Sequence, residues 1–235
     1  MDDRPLITTH DLVKQYPAGG GFFTALNKVN LSIQRGEFTG IVGPSGSGKT
    51  TLLNIIGALD YPSSGSTLVI GTDTQELDHR MSARLRNEHI GFIFQTYNLL
   101  PVYNVYENVE FPLLLLGMNA DERDRAVMQA LEWVGLTDKV RSRPNQLSGG
   151  ESQRVAVARA MVKKPELVLA DEPTANLDAE NSHNILRMMV RFNEELRTTF
   201  VFATHDEKVI AYIRRKITLN DGMVVEDRET KPAIH

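Results

Sequence analysis

Apolar and polar positions alternate first at the spacing of strands and then at that of helices. Residues 5–42 carry short β-rich runs, PLITTHDLV, NKVNLSI and EFTGIVG, broken by PAGGG and QRGE. This pattern predicts a hairpin-like start. Residues 48–58 switch to helical spacing, and short strands are predicted around STLVIG and IGFIFQ. Residues 104–135 read as mainly helical, through VYENVEFPLLLLG and then DERDRAVMQALEWVGL. A further helix, ESQRVAVARAMV, leads by KKPE into LVLAD, an apolar run of the kind buried on both faces of a parallel sheet. The polar helix AENSHNILRMMVRFNEEL, the strand TFVFATH and a short helix-and-strand ending through KITLNDGMVVE follow. The tail DRETKPAIH is expected to fray.

Apolar strands alternating with amphipathic helices indicate an α/β core with a mainly parallel sheet, preceded by an antiparallel β subdomain. The helical block between about residues 96 and 160 interrupts that alternation and is expected to be a subdomain inserted between two core strands. A chain of 235 residues is read as one domain over 1–235, large enough for one core with such an appendage.

Composition changes this picture little. The formal charge of −4, with basic residues scattered, gives no support to a nucleic-acid partner. The absence of cysteine excludes disulfides, thiolate metal sites and a cysteine nucleophile, and suits a reducing compartment. The first ten residues lack a basic region followed by an apolar core, so no secretory signal is expected. The longest apolar patch, FPLLLLGM, falls far short of the ~20 residues that cross a membrane. A cytoplasmic protein is expected, and any membrane it serves must be crossed by something else.

The chemistry is concentrated in three places. In GPSGSGKTT, the residues Gly43, Gly48, Lys49 and Thr50 match the spacing G-x-x-x-x-G-K-[ST] between a predicted strand and a predicted helix. Glycines let the backbone of Gly43, Ser45, Gly46, Ser47 and Gly48 turn its N–H groups toward phosphate oxygens at a positive helix end. Lys49 would reach the β- and γ-phosphates, the Thr50 hydroxyl would ligate Mg²⁺, and Thr51 would donate to the α-phosphate. In LVLADE, an apolar strand delivers Asp171 and Glu172 from its C-terminal end. Asp171 is expected to hold Mg²⁺ and Glu172 to polarise an attacking water. In NQLSGGESQRVAVARAM, a serine and two glycines open a helix and make a second anion-binding helix end.

At this point the chain resembles the ATP-binding cassette family, and the resemblance covers nearly its whole length. LSGGE at 147–151 looks like the signature motif. The resemblance implies that Ser148, Gly149 and Gly150 close on the γ-phosphate of ATP held by a second copy. It likewise implies that Gln95 lies near Mg²⁺ and the water, that Asn176-Leu177-Asp178 is the D-loop with Asp178 at the nucleotide interface, and that His205 is the switch histidine. Tyr16 stands where the family places the aromatic that stacks on adenine, with Phe22 and Phe23 as rivals. The fifth signature residue is often glutamine. Here it is Glu151, expected to point away from the phosphate it would repel.

A small-molecule kinase has no need of LSGGE or of a histidine at 205. A soluble cassette acting on DNA or ribosomes would carry long coiled-coil insertions or a second cassette, and this sequence has neither. The resemblance therefore implies an ATPase subunit with ATP and Mg²⁺ as cofactors. Its partners would be a second copy in a head-to-tail dimer and an integral membrane permease, at the cytoplasmic face of the inner membrane. GALDYPSSG, FQTYNLLPVYNVYENVEFPL and LADEPTANLD most resemble the lipoprotein-release and macrolide-exporter subgroup. Amino-acid importers are the alternative. Residues around Leu99, Leu100, Pro101, Val102 and Tyr103 are expected to line a groove for a permease helix.

Overall fold

The computed structural model describes residues 4–232 of the chain. Strands β1 (Ile7–Ala18) and β2 (Gly21–Ile33) form the opening antiparallel hairpin, turned by Gly19 and Gly20, both at positive φ. They join β4 (Ser64–Val69) and β5 (Thr72–Asp73) in a four-stranded sheet of order β2-β1-β4-β5. A second sheet of order β10-β9-β3-β8-β7-β6 is built from β3 (Phe38–Val42), β6 (Ile90–Ile93), β7 (Leu167–Asp171), β8 (Thr199–Thr204), β9 (Arg215–Asn220) and β10 (Met223–Glu229). Its strands are parallel except for the edge strand β10.

The helices are α1 (Lys49–Ile56), α2 (His79–His89), α3 (Val105–Leu115), α4 (Ala120–Trp133), α5 (Gly149–Met161), α6 (Ala179–Leu196) and α7 (Glu207–Ile210). Strand alternation sorts the core into two halves. Phe38, Val168, Ala170, Phe200 and Phe202 pack against α3 to α6 on one face of the large sheet. Ile41, Leu167, Leu169, Val201 and Ala203 pack with α1 and the small sheet on the other. The strands are buried on both sides, as their unbroken apolar runs require.

The segment from 96 to 160 leaves the sheet after β6 and returns to it at β7, and these two strands are direct parallel neighbours. It carries α3, α4 and α5, so the inserted helical subdomain stands where the sequence places it. Helix α2 is not expected from sequence, because HRMSARLRNEH is mostly polar and only Ser82 and Leu85 of its residues are buried. Its one local signal is Asp78, whose side chain accepts from the Met81 N–H at 2.7 Å. The tail is ordered further than expected. Asp227 to Glu229 pair with β9, Arg215 forks onto Asp227, and Thr230 bonds to Ile213 and Arg214. Residues 233–235 of the predicted frayed tail lie outside the described residues.

Candidate nucleotide site

Parallel pairing brings the chemistry together. Gly43 follows β3, His205 follows β8, Glu172 follows β7, and Gln95 follows β6 by two residues. These strands are consecutive neighbours running the same way, so all four C-terminal ends open on one edge of the sheet.

The loop from Gly43 to Gly48 is shaped by close approaches that exclude side chains. A Cβ at Gly43 would stand 2.1 Å from the Leu219 carbonyl oxygen, and one at Gly48 would stand 2.5 Å from that of Ala25. Gly46 and Gly48 also adopt φ of 80° and 100°, where glycine alone is unstrained. Gly48 caps α1 without any side-chain bond, which leaves the N–H groups of the first turn, Lys49, Thr50 and Thr51, as unpaired donors at a positive helix end. Ser47 is buried, and its hydroxyl has no protein partner. Lys49 is buried too, its ammonium donating to the Gly43 and Pro44 carbonyls at 2.8 Å each. The loop's own oxygens thus hold the lysine at the cradle.

The Thr50 hydroxyl lies 3.0 and 3.2 Å from the two carboxylate oxygens of Asp171. Burial pushes the Asp171 carboxyl above its ordinary range, the Thr50 bond opposes this, and neighbouring Glu172 adds to it. Among the described residues no cluster of three or more His, Cys, Asp or Glu could hold a metal alone. A hydroxyl and a single carboxylate fit a small hard cation that takes its remaining oxygens from water and phosphate, as Mg²⁺ does.

Glu172 sits at φ 45°, in the left-handed region that is uncommon for a residue with a side chain. Its backbone N–H is tied to the Ala203 carbonyl at 2.9 Å. Thr204 donates its hydroxyl to one carboxylate oxygen at 2.9 Å, and His205 Nδ1 meets the other at 2.6 Å. The carboxylate is therefore oriented from both sides by the neighbouring strand. Gln95 is exposed, and its backbone carbonyl accepts from the Asn176 side-chain amide at 2.9 Å, which ties the Gln95 segment to the Asn176–Asp178 stretch. Asp178 caps α6, accepting from the Asn181 N–H at 2.8 Å and its amide at 2.6 Å.

Ser148 caps α5 in a reciprocal box. Its oxygen accepts from the Glu151 N–H at 3.2 Å, and the Glu151 carboxylate accepts from the Ser148 N–H at 2.8 Å. Glu151 also pairs with Lys139 at 3.3 Å. The Ser148 N–H, first of these contacts, holds the Glu151 carboxyl below its ordinary range. Gly149 is closed in by Tyr97, whose hydroxyl would stand 3.0 Å from a Cβ there.

Tyr16 lies on β1 directly opposite Phe23 and bonds to Asp60 at 2.7 Å, just beyond α1. Burial first, then the bond to Asp60, raises its phenol above the ordinary value, while a contact with Thr51 opposes this. Tyr16 is thus joined to the phosphate-loop helix. Phe22 pairs with Pro17 on the opposite face of the hairpin and is 72% exposed.

A separate apolar groove of about 410 Å³ runs between α2, β6 and α3. Leu59, Phe92, Phe94, Leu100, Phe111 and Leu115 wall it, and Arg86, Arg159 and Lys163 lie along it. Of the five positions expected from sequence, only Leu100 lines this groove. Leu99 packs on the core, Tyr103 meets the Phe111 ring at 6.2 Å, and Val102 is 73% exposed. The phenylalanines were missed because they come from two segments that only the fold brings together.

Comparison with known proteins agrees with this geometry. The family described as ABC transporter matches residues 26–175. A macrolide export ATP-binding/permease protein, MacB of Burkholderia thailandensis, is 48% identical over 225 residues, covering 95% of this chain and 34% of its own length. The chain thus spans about a third of the MacB proteins it matches. The lipoprotein-releasing system ATP-binding protein LolD of Alcanivorax borkumensis is 41% identical over 220 residues, with 94% and 96% covered. The dimeric ATP-binding cassette MJ0796, solved bound to ADP and phosphate, superposes with a TM-score of 0.89 at 40% identity, covering 96% of this chain and 99% of that one. The chain belongs to the ABC transporter family and is an ATPase of that family.

Proposed function

We propose that the chain is the ATP-hydrolysing subunit of a LolD- or MacB-type system, closing as a head-to-tail dimer on ATP and driving a separate permease in lipoprotein release or export. It would act at the cytoplasmic face of the inner membrane, held there by that permease. Among the described residues no helix is long and apolar enough to cross a membrane.

Each residue has a task that its geometry supports. Lys49 would leave the Gly43 and Pro44 carbonyls for the β- and γ-phosphates, and the N–H groups of the α1 turn would take phosphate oxygens. Thr50 and Asp171 would hold Mg²⁺ with Gln95 nearby; when bound, the ion would neutralise charge building on the phosphates. Glu172, fixed by Thr204 and His205, would accept a proton from water as it attacks the γ-phosphate. Ser148 and the N–H groups of Gly149 and Gly150 would meet the γ-phosphate held by the second copy, and Asp178 would lie at that junction. Glu151 is occupied by its own helix cap and by Lys139, which supports its turning away from that phosphate.

One observation carries the transport reading: Phe94, in the groove wall, is the residue before Gln95. A permease helix seated in that groove would lie one residue from the nucleotide-sensing segment. Aromatic and aliphatic walls of this kind suit a buried anchor. The test is Leu115→Asp, at a 62% exposed wall position, co-expressed with a permease of the LolD- or MacB-type system. We expect loss of co-purification and of transport with basal ATPase retained. Normal co-purification and transport would place the docking site elsewhere.

A further inference from the structure

Arg159 lies on α5 about three turns after the cap that Ser148 makes. Its guanidinium donates to the Asn98 carbonyl at 2.6 Å and to the Tyr97 carbonyl at 2.8 Å. Both residues are at positive φ, 60° for Tyr97 and 49° for Asn98, a conformation costly for side-chain-bearing residues unless the surroundings hold it. Both terminal nitrogens of Arg159 are thus spent on backbone oxygens of this turn. Only an Arg presents such a planar fork, with two donors in fixed register.

The turn that Arg159 holds begins at Gln95. The Gln95 carbonyl is fixed by Asn176, Tyr97 N–H bonds back to the Phe94 carbonyl at 3.2 Å, and the Tyr97 ring reaches Gly149 at the start of α5. Arg159 and Tyr97 therefore link the two ends of α5 to one short segment, and Arg159 also lies along the groove. A structural arginine would need to do no more than satisfy two carbonyls. This one satisfies those of the segment that presents Gln95, and from the helix whose N-terminus carries Ser148.

We infer that Arg159 is a positioning residue for ATP hydrolysis, holding the 95–98 turn so that Gln95 and the N-terminus of α5 keep a fixed relation. The inference rests on the reading of Gln95 as a nucleotide-facing residue. In this role Arg159 acts through the Tyr97 and Asn98 peptides.

The experiment is steady-state ATPase kinetics of the full chain as wild type, Arg159→Ala, Gln95→Ala and the double variant. Residues that orient a reactive group from behind typically cost about 10- to 100-fold when removed, and we expect kcat of Arg159→Ala to fall by that much with KM for ATP unchanged. Millimolar guanidinium chloride, below denaturing levels, should restore part of the kcat, whereas equal sodium chloride or urea should not. The double variant should be no slower than Gln95→Ala alone, since residues acting as a unit are non-additive. Wild-type kcat in Arg159→Ala, a change in KM alone, or additive losses in the double variant would overturn the inference. Wild-type kcat in Gln95→Ala beside a slow Arg159→Ala would instead remove the Gln95 reading, and with it the route assigned to Arg159. Should Arg159→Ala fail to fold, Arg159→Lys keeps the half-buried cation with a single donor nitrogen. It should then melt as wild type and still lose kcat; full activity there would overturn the inference as well.

Discussion

Glu172 and His205 directly follow two adjacent parallel strands and meet at 2.6 Å, although 33 residues separate them in sequence. The histidine side chain is largely exposed and the glutamate largely buried, so the contact joins the floor of the site to its surface. With its proton on Nδ1 the histidine would donate to the carboxylate, which suits the base role proposed for Glu172.

Glu172→Gln keeps the Thr204 and backbone contacts in shape while removing the proton acceptor. Turnover should fall by about 10²–10⁴-fold, with ATP binding retained. Light scattering of this variant with ATP and Mg²⁺ should show a stable dimer; ATP-loaded monomers throughout would count against closure on ATP.

Lys49 and Ser148 should fail in different ways. Lys49→Ala removes a charge-assisted contact worth roughly 1.5–3 kcal/mol, and ATP affinity of a single subunit should weaken by about 10- to 150-fold, read by fluorescent-nucleotide titration. Ser148→Ala should leave that affinity unchanged and lower hydrolysis. It also removes the α5 cap, which costs about 0.5–2 kcal/mol of stability, measurable by urea unfolding. Equal loss of single-subunit affinity in both variants would contradict the roles assigned to them.

Tyr16 and Phe22 separate base stacking from exposed hairpin surface. Stacking of a base on an aromatic ring is worth about 1–3 kcal/mol, so Tyr16→Ala should weaken ATP binding by about 5- to 150-fold without changing affinity for inorganic tripolyphosphate. Phe22→Ala, on the other face of the hairpin, should bind both as wild type does. Isothermal titration with the two ligands distinguishes loss of the base contact from loss of the phosphate loop.

Lys163 gives the molecule a pH signature away from the nucleotide. Its ammonium donates to the Arg86 and Asn87 carbonyls at the end of α2, and burial pushes its pKa from 10.5 down to about 8. A depressed lysine pKa means that the folded state releases this proton before the unfolded state does. The unfolded chain then binds more protons between those two values, so stability from this group rises with pH across that window and is flat well below it. Lys163→Met should remove that rise. Urea unfolding of both proteins at several pH values across the window checks it, and an unchanged slope in the variant would refute it.

How much of this was legible in the chain depends on the range over which the physics acts. The phosphate loop, the acid-bearing strand and the capped α5 are local. Gly43 to Thr51, LVLADE and LSGGE each state their geometry within a few residues, through backbone freedom, apolar runs and helix caps. The strand alternation that splits Phe200 and Phe202 from Val201 and Ala203 is equally local, so the α/β class and the inserted helical block could be read directly. Helix α2 could not, because it is strongly polar and buries only Ser82 and Leu85, so few apolar residues mark its inner face. Nor could the ordered tail, since Asp227 is held by Arg215, twelve residues away across a strand pair. The groove needed Phe92 and Phe94 from β6 and its exit beside Phe111 and Leu115 from α3, and only the packing of α5 against both α3 and β6 sets them side by side. The clamp on the 95–98 turn is the clearest case. Two positive-φ residues cost energy locally, and what holds them is an arginine sixty residues away, visible only once the chain has folded back on itself.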